Sequence, residues 1–199
     1  MSDLPSQRGE TWNDTEAIDR HRRMTPSERI ALAVDATRAA MLFANSNRRS
    51  EERLQFVPDR IVAALNAADV AYVTIGGVAV AAHGVVRAIR NLDLVPEPST
   101  ANVERLVSTL YALGADRSLF DLSRPFLDRF TTIHGKVDVY NGVSDNRSYP
   151  ELAVSAISVD VGGEPAPICS LSDLRTMKLA AGRPRDMIDV AELDELNGH

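Results

Sequence analysis

Cysteine is almost absent from this chain: Cys169 stands alone among 199 residues. That scarcity excludes an internal disulfide framework and any multi-cysteine zinc site. Cys169 closes the apolar run PAPIC, where a small buried hydrophobe is its expected role. No apolar run reaches the roughly 18–20 residues that a membrane span needs. The opening stretch, MSDLPSQRGETWNDTEAIDR, lacks the basic and apolar regions of a secretory signal. Together these absences point to the cytoplasm and away from a membrane. An excess of positive charge is missing too. A net charge of −6 and a pI near 5.2 leave no global basic footprint for nucleic acid. A local basic groove stays open, because Arg87 and Arg90 lie close together and Arg175, Lys178, Arg183 and Arg185 cluster near the C-terminus. No Ser/His/Asp order suits a hydrolase, and no histidine spacing suits a metal. Internal repeats and low-complexity tracts are also lacking.

What is present reads as an ordinary globular chain, with 44% apolar and 25% charged residues. Its length suits one sizeable domain with a small extension or lobe. Residues 1–24 are polar and unperiodic and are expected to be disordered, with Trp12 exposed and Met24 an alternative start. Residues 25–57 read as an N-terminal helical segment. Thr25-Pro-Ser-Glu28 forms a capping box with proline at the first helical position, and Ile30, Val34, Thr37 and Met41 follow helical spacing. The charged run RRSEER (48–53) reads as a solvated face.

Residues 58–199 hold the main domain. A helix opening at Pro58 precedes a strand over 70–75, a short helix over 77–83 and a second strand over 90–95. PEPST then caps an amphipathic helix that stops at Gly114. RFTTIHGKVDVY (129–140) alternates as a β-hairpin around His134-Gly135, with both His83 and His134 read as structural. A short helix near 149–155 leads to a second hairpin turning at Gly162-Gly163. Ser170 caps a helix through Lys178, and a last helix from Pro184 carries Met187, Val190, Leu193 and Leu196. The pattern is α+β: a mixed β-sheet with helices on one face and helical segments at both ends.

The stretch YVTIGGVAVAAHGVVRAIRNLDLV (72–95) carries the most chemistry. A strand ends in Gly76-Gly77, and glycines permit close backbone approach to a ligand. Backbone N–H groups where a helix starts attract phosphate. Residues two apart on a strand share a face, so Asn91 and Asp93 point one way while Leu92 and Leu94 enter a core. Asp138 belongs to a similar pattern in Lys136-Val-Asp-Val-Tyr140, on the same face as Lys136 and Tyr140. If the two strands pair, Asn91, Asp93 and Asp138 converge. Carboxylates so placed repel, and a cation between them relieves the repulsion. Oxygen donors suit Mg²⁺, and a bridged triphosphate suits phosphoryl or nucleotidyl transfer.

GG-x-A-x4-G followed by R-x-x-R-N-L-D-L-V resembles the signature of the polymerase-β-like nucleotidyltransferases. More narrowly, the chain resembles their small MNT-type and AbiE-type proteins, several of which are toxins of toxin–antitoxin pairs. SLSDLRTMKLAAGRPRDMIDVAEL (170–193) is similar to that group's closing motif, and the resemblance spans roughly 60–196. It implies that Gly76 and Gly77 cradle a triphosphate with Arg87 or Arg90 beside it. It also implies that Asn91, Asp93 and Asp138 hold Mg²⁺, that Lys178 and Arg185 meet phosphate, and that Asp186 or Asp189 orients Lys178 or an arginine. The catalytic set so implied is Asp93, Asp138, Lys178 and Asp189. The implied reaction moves a nucleoside monophosphate from an NTP to a hydroxyl with release of pyrophosphate. In the toxin branch the acceptor is a tRNA 3′ end or a protein side chain, and a cognate antitoxin protein is the partner. The basic cluster at 175–185 suits an anionic acceptor such as RNA better than a cationic aminoglycoside. Asn91 stands where that family most often has Asp. It can offer a carbonyl oxygen but no charge. Three readings follow: a weak-metal enzyme, a nucleotide-binding or regulatory protein without catalysis, or a member that has lost activity.

Overall fold

Apolar residues alternate or run together in short segments, and those segments become the strands of one sheet. The computed structural model describes residues 15–44, 56–115, 128–141, 143–145 and 147–198. Within these, the strands are β1 (Tyr72–Ile75), β2 (Leu92–Pro96), β3 (Asp128–Thr132), β4 (Gly135–Val139), β5 (Ile157–Val161) and β6 (Glu164–Ile168). They form a six-stranded sheet in the order β3-β4-β2-β1-β6-β5. Pairing is mixed: β1 runs antiparallel to β2 but parallel to β6, and β2 runs parallel to β4. β1 is buried along its whole length, as befits a central strand covered on both faces. The edge strands instead alternate between buried and exposed residues.

Helices flank this sheet. They are α1 (Thr15–Arg23), α2 (Pro26–Ala44), α3 (Pro58–Ala67), α4 (Gly76–Ala82), α5 (Thr100–Ala112), α6 (Tyr149–Ser155), α7 (Leu171–Ala181) and α8 (Pro184–Asn197). The expected capping box closes α2, with the Thr25 N–H donating to Glu28 at 2.7 Å and the Glu28 N–H donating to Thr25 Oγ1 at 3.2 Å. Ile30, Ala33 and Val34 of α2 join the same core as the sheet, so this helix is part of the main body. Cys169 is fully buried there, and burial pushes its thiol up to about 12.

The structure departs from the sequence reading in several places. Residues 15–23 form α1 inside a stretch expected to be disordered. Glu16 in its first turn and arginines in its last complement the helix dipole. Tertiary contacts do the rest: Ala17 is buried, and the Arg22 guanidinium donates to the Glu195 carbonyl at 2.6 Å, near the end of α8. Trp12 and RRSEER lie outside the described residues. The second difference is that β2 begins at Leu92, leaving Asn91 outside the ladder. Its neighbour β1 pairs only as far as Ile75 opposite Asp93, because the chain then turns away at Gly76. The third is Met187, which faces outward on α8 while Val190 and Leu193 are buried.

Two buried polar side chains fix the segments that lead to the site. Asn102, fully buried on α5, accepts from the Ala71 N–H at 2.8 Å and donates to the Ala71 and Glu97 carbonyls at 2.8 and 2.9 Å. It thereby pins the entry to β1 beside the exit from β2. Thr37 Oγ1 on α2 accepts from the Ile89 N–H at 2.7 Å and donates to the Ala33 carbonyl. That bond holds the irregular segment 83–91, which carries Arg87, Arg90 and Asn91. Buried polar groups satisfied in this way each contribute about 1 kcal/mol and, more importantly, specify one arrangement.

Candidate functional site

The chain leaves β1 through a glycine pair whose geometry demands glycine. Gly76 has φ +63°, and a Cβ there would lie 2.0 Å from Asp93 Oδ2. Only a residue without a side chain fits this backbone region and this space. At Gly77 a Cβ would come 3.3 Å from Ile89 Cγ2, and its N–H donates to Asp93 Oδ2 at 3.4 Å. The turn is thus wrapped around one carboxylate.

Asp93 and Asp138 are register partners on the parallel strands β2 and β4, which places both on one face of the sheet. Neighbouring strands lie roughly 4.8 Å apart, so the two carboxylates are adjacent. Both side chains are largely buried yet line the same cleft. Burial, and then the charge of Asp138, push Asp93 up to about 6, against hydrogen bonds from Gly77, Asn91 and Tyr140 that lower it. Asp138 is raised as well, chiefly by burial, while Arg129 pulls it down. The Asn91 amide donates to Asp93 Oδ1 at 2.6 Å, and the Tyr140 hydroxyl donates to the same oxygen at 3.4 Å. Burial and the nearby carboxylates push the Tyr140 phenol up to about 12.

Across the cleft, α7 and α8 present a different arrangement. Lys178 Nζ lies 3.1 Å from Asp186 Oδ1 and 2.7 Å from Asp189 Oδ2. The fully buried Asp189 also takes a forked pair of bonds from Arg87 at 3.1 and 2.9 Å, and Arg185 at 3.2 Å. Arg183 reaches Asp186 at 2.6 Å. Burial raises the Asp186 carboxyl, but hydrogen bonds from Arg183 and Lys178 outweigh it and hold the group below its ordinary range. Four cations therefore rest on two carboxylates, and the wall keeps a surplus of positive charge.

These two walls enclose a cleft of about 1250 Å³. The structure brings Gly76, Gly77, Arg87, Arg90, Asn91, Asp93, Asp138, Lys178, Arg185, Asp186 and Asp189 to its lining. Arg90 is exposed there, with no ion-pair partner among the described residues. Arg175 belongs elsewhere: it forks onto Asp194 at 2.5 and 2.8 Å and does not line the cleft. The His83 ring contacts the Cys169 carbonyl at 2.8 Å, whereas His134 takes part through its backbone, its carbonyl accepting from the Val57 N–H at 2.8 Å.

Tyr140 and Arg129 are among the lining residues that went unassigned in the sequence. Tyr140 was in reach, since it shares a strand face with Asp138. Arg129 was not: the hairpin turns one residue earlier than read, at Ile133-His134 instead of His134-Gly135, and that register sets Arg129 opposite Asp138.

Neither a protein-family model nor a curated protein matches this sequence. Solved structures do match its fold. LnuA, a lincosamide antibiotic adenylyltransferase, superposes with a TM-score of 0.54 at 14% identity, over 72% of this chain and 99% of LnuA. TM1012 of Thermotoga maritima, described as a candidate nucleotidyltransferase, gives 0.50 at 16% identity, over 76% of this chain and all of that one. The antibiotic-resistance factor ANT(2'')-Ia gives 0.50 at 18% identity, over 68% of this chain and 80% of that one. What this chain shares with these nucleotide-transferring proteins is the fold.

A nucleotidyltransferase fold raises the question of a divalent ion. Among the described residues no group of three or more His, Cys, Asp or Glu is arranged to hold a metal. The donor set consists of two carboxylates and the Asn91 amide. Mg²⁺ is commonly held by one or two carboxylates together with substrate phosphates. Asp93 and Asp138 fit that description for a single ion. Asn91 presents an N–H to Asp93 and adds no charge. The residues present therefore fit an ion held weakly until a nucleotide supplies further oxygens. Among the described residues no helix is long and apolar enough to cross a membrane.

Proposed function

We propose that this protein binds a nucleoside triphosphate in the cleft, at a metal site weakened by Asn91, and acts as a nucleotide-binding or regulatory protein. The observation that carries this reading is the Asn91 amide, which donates 2.6 Å to Asp93 where an acidic residue would add a third carboxylate. A site with two buried carboxylates and no third acid loses much of the attraction that draws a cation from water. The polyphosphate lies along the glycine turn of Gly76 and Gly77, facing Lys178, Arg87, Arg90 and Arg185. The cations carry most of the affinity. Helix α4 has only seven residues, so its dipole adds little.

Calorimetric titration with each NTP tests the proposal, with and without Mg²⁺. Saturable binding in both conditions, with no label passed to any macromolecule, is the expected result. Absence of binding in both conditions overturns it.

A second reading is favoured by the register pairing of Asp93 with Asp138. Here the protein transfers a nucleoside monophosphate from the NTP to a hydroxyl and releases pyrophosphate, as a toxin modifying the tRNA 3′ end and held in check by a cognate antitoxin. Mg²⁺ bound by Asp93 and Asp138 would neutralise the phosphates and activate the attacking hydroxyl. Lys178 and Arg87 hold the phosphates in line, and Asp189 keeps both cations in place. The cations that line the cleft, Arg87, Lys178, Arg183 and Arg185, suit an anionic acceptor such as RNA. Incubation with labelled NTP, Mg²⁺ and a bulk tRNA pool separates the readings: label on RNA, lost in Asp93→Ala, supports transfer over binding alone.

A further inference from the structure

Arg129 has no place in either reading so far. It lies on the edge strand β3, directly across from Asp138, with its Nε 3.4 Å from Asp138 Oδ2. Its side chain is 74% exposed and lines the cleft, and it has no second partner among the described residues. A guanidinium offers five donors in a rigid fork, and one of them, Nε, lies against a carboxylate here. Among the described residues its remaining donors meet no other anion, which leaves them for a second one. Meanwhile Asp93 already receives Asn91, Gly77 and Tyr140. Each carboxylate of the pair thus has a donor supplied by the protein itself.

Charge makes the consequence plain. A triphosphate approaching two carboxylates meets repulsion unless positive charge stands between them. A divalent ion is one way to supply it, and a guanidinium bridging carboxylate and phosphate is another, at half the charge. We propose that Arg129 is that bridging cation, gripping Asp138 with one edge and the nucleotide's phosphates with the other, so that the cleft holds a nucleoside triphosphate without a divalent ion. The inference rests on the nucleotide-binding reading and names the residue that frees it from metal.

The test is calorimetry with ATP and with GTP on the full chain, in Mg²⁺ and again in chelator. The wild-type protein, Arg129→Ala and Arg129→Lys are compared. Because Arg129 is mostly exposed, its removal leaves the core intact, and a thermal melt checks that directly. The expected result is a wild-type affinity that falls by less than about tenfold in chelator, a change below ~1.4 kcal/mol. Arg129→Ala should lose at least about tenfold more in chelator than in Mg²⁺, and Arg129→Lys should recover part of that loss, since a lysine keeps the charge without the fork. If Arg129→Ala tracks the wild type in both buffers, the bridging role is wrong while nucleotide binding stands. If the wild type binds neither nucleotide in either buffer, the underlying reading fails as well.

Discussion

Four aspartates line the cleft, and they live in opposite electrostatic worlds. Asp93 and Asp138, side by side on the sheet, are short of positive charge, and burial drives both carboxyls upward. Asp186 and Asp189, on α8, are crowded by Lys178, Arg87, Arg183 and Arg185, and Asp186 is held down. One residue type therefore serves two ends. The sheet pair is costly to the fold and open to a cation, whereas the helical pair is a scaffold that holds cations in position. Such opposed environments mark functional sites, where one group is strained so that a ligand can relieve it.

The contrast can be broken most forcefully at Asp189. Asp189→Ala removes the shared anchor of Lys178 and Arg87 and leaves Lys178 buried beside Asp186. A loss of about 3–5 kcal/mol is expected, read as a lowered urea midpoint. Gly76→Ala strikes the other side of the cleft. Its Cβ collides with Asp93 and its φ of +63° is unfavourable, so stability should fall by about 1–3 kcal/mol. Nucleotide affinity should fall with it, and unchanged binding by calorimetry would show that the turn does not face the ligand.

Asp93→Asn should act in the opposite direction from Asp189→Ala. The folded protein raises this carboxyl from 3.8 to about 6, so it binds a proton more tightly folded than unfolded. The stability it contributes is full below pH 3.8 and is lost as pH rises toward about 6. At neutral pH the charged form is a burden, and the amide should stabilise the protein by roughly 1–3 kcal/mol. Denaturation curves between pH 4 and 7 should show a decline in the wild type that flattens in Asp93→Asn. Asp186, held below its ordinary range, has the reverse sign: its contribution is present at neutral pH and fades as the solution becomes acidic. The gentlest change is Asn91→Asp. Restoring a third carboxylate should tighten Mg²⁺ binding by about tenfold, ~1.4 kcal/mol, while costing stability in chelator. No gain in metal affinity would mean that Asn91 is not what weakens the site.

Much of this was legible in the chain. The second hairpin turns at Gly162-Gly163 and a short helix spans Tyr149–Ser155, as read, because alternation and turn chemistry are local signals. The convergence of Asp93 and Asp138 followed from strand periodicity plus one pairing. What escaped were contacts between distant parts of the chain. Nothing in the sequence joins Arg87 to Asp189, which are 102 residues apart, or Thr37 to Ile89. Helix α1 escaped for the same reason, since its anchor is the distant end of α8.

The central claim is that a triphosphate lies between the glycine turn and the cations of α7 and α8. A crystal structure of the protein with a non-hydrolysable NTP analogue tests it most directly. The account predicts phosphate density within hydrogen-bond reach of the Gly76 or Gly77 amides and of Lys178. Nucleotide bound elsewhere on the molecule, with the cleft empty, would contradict it.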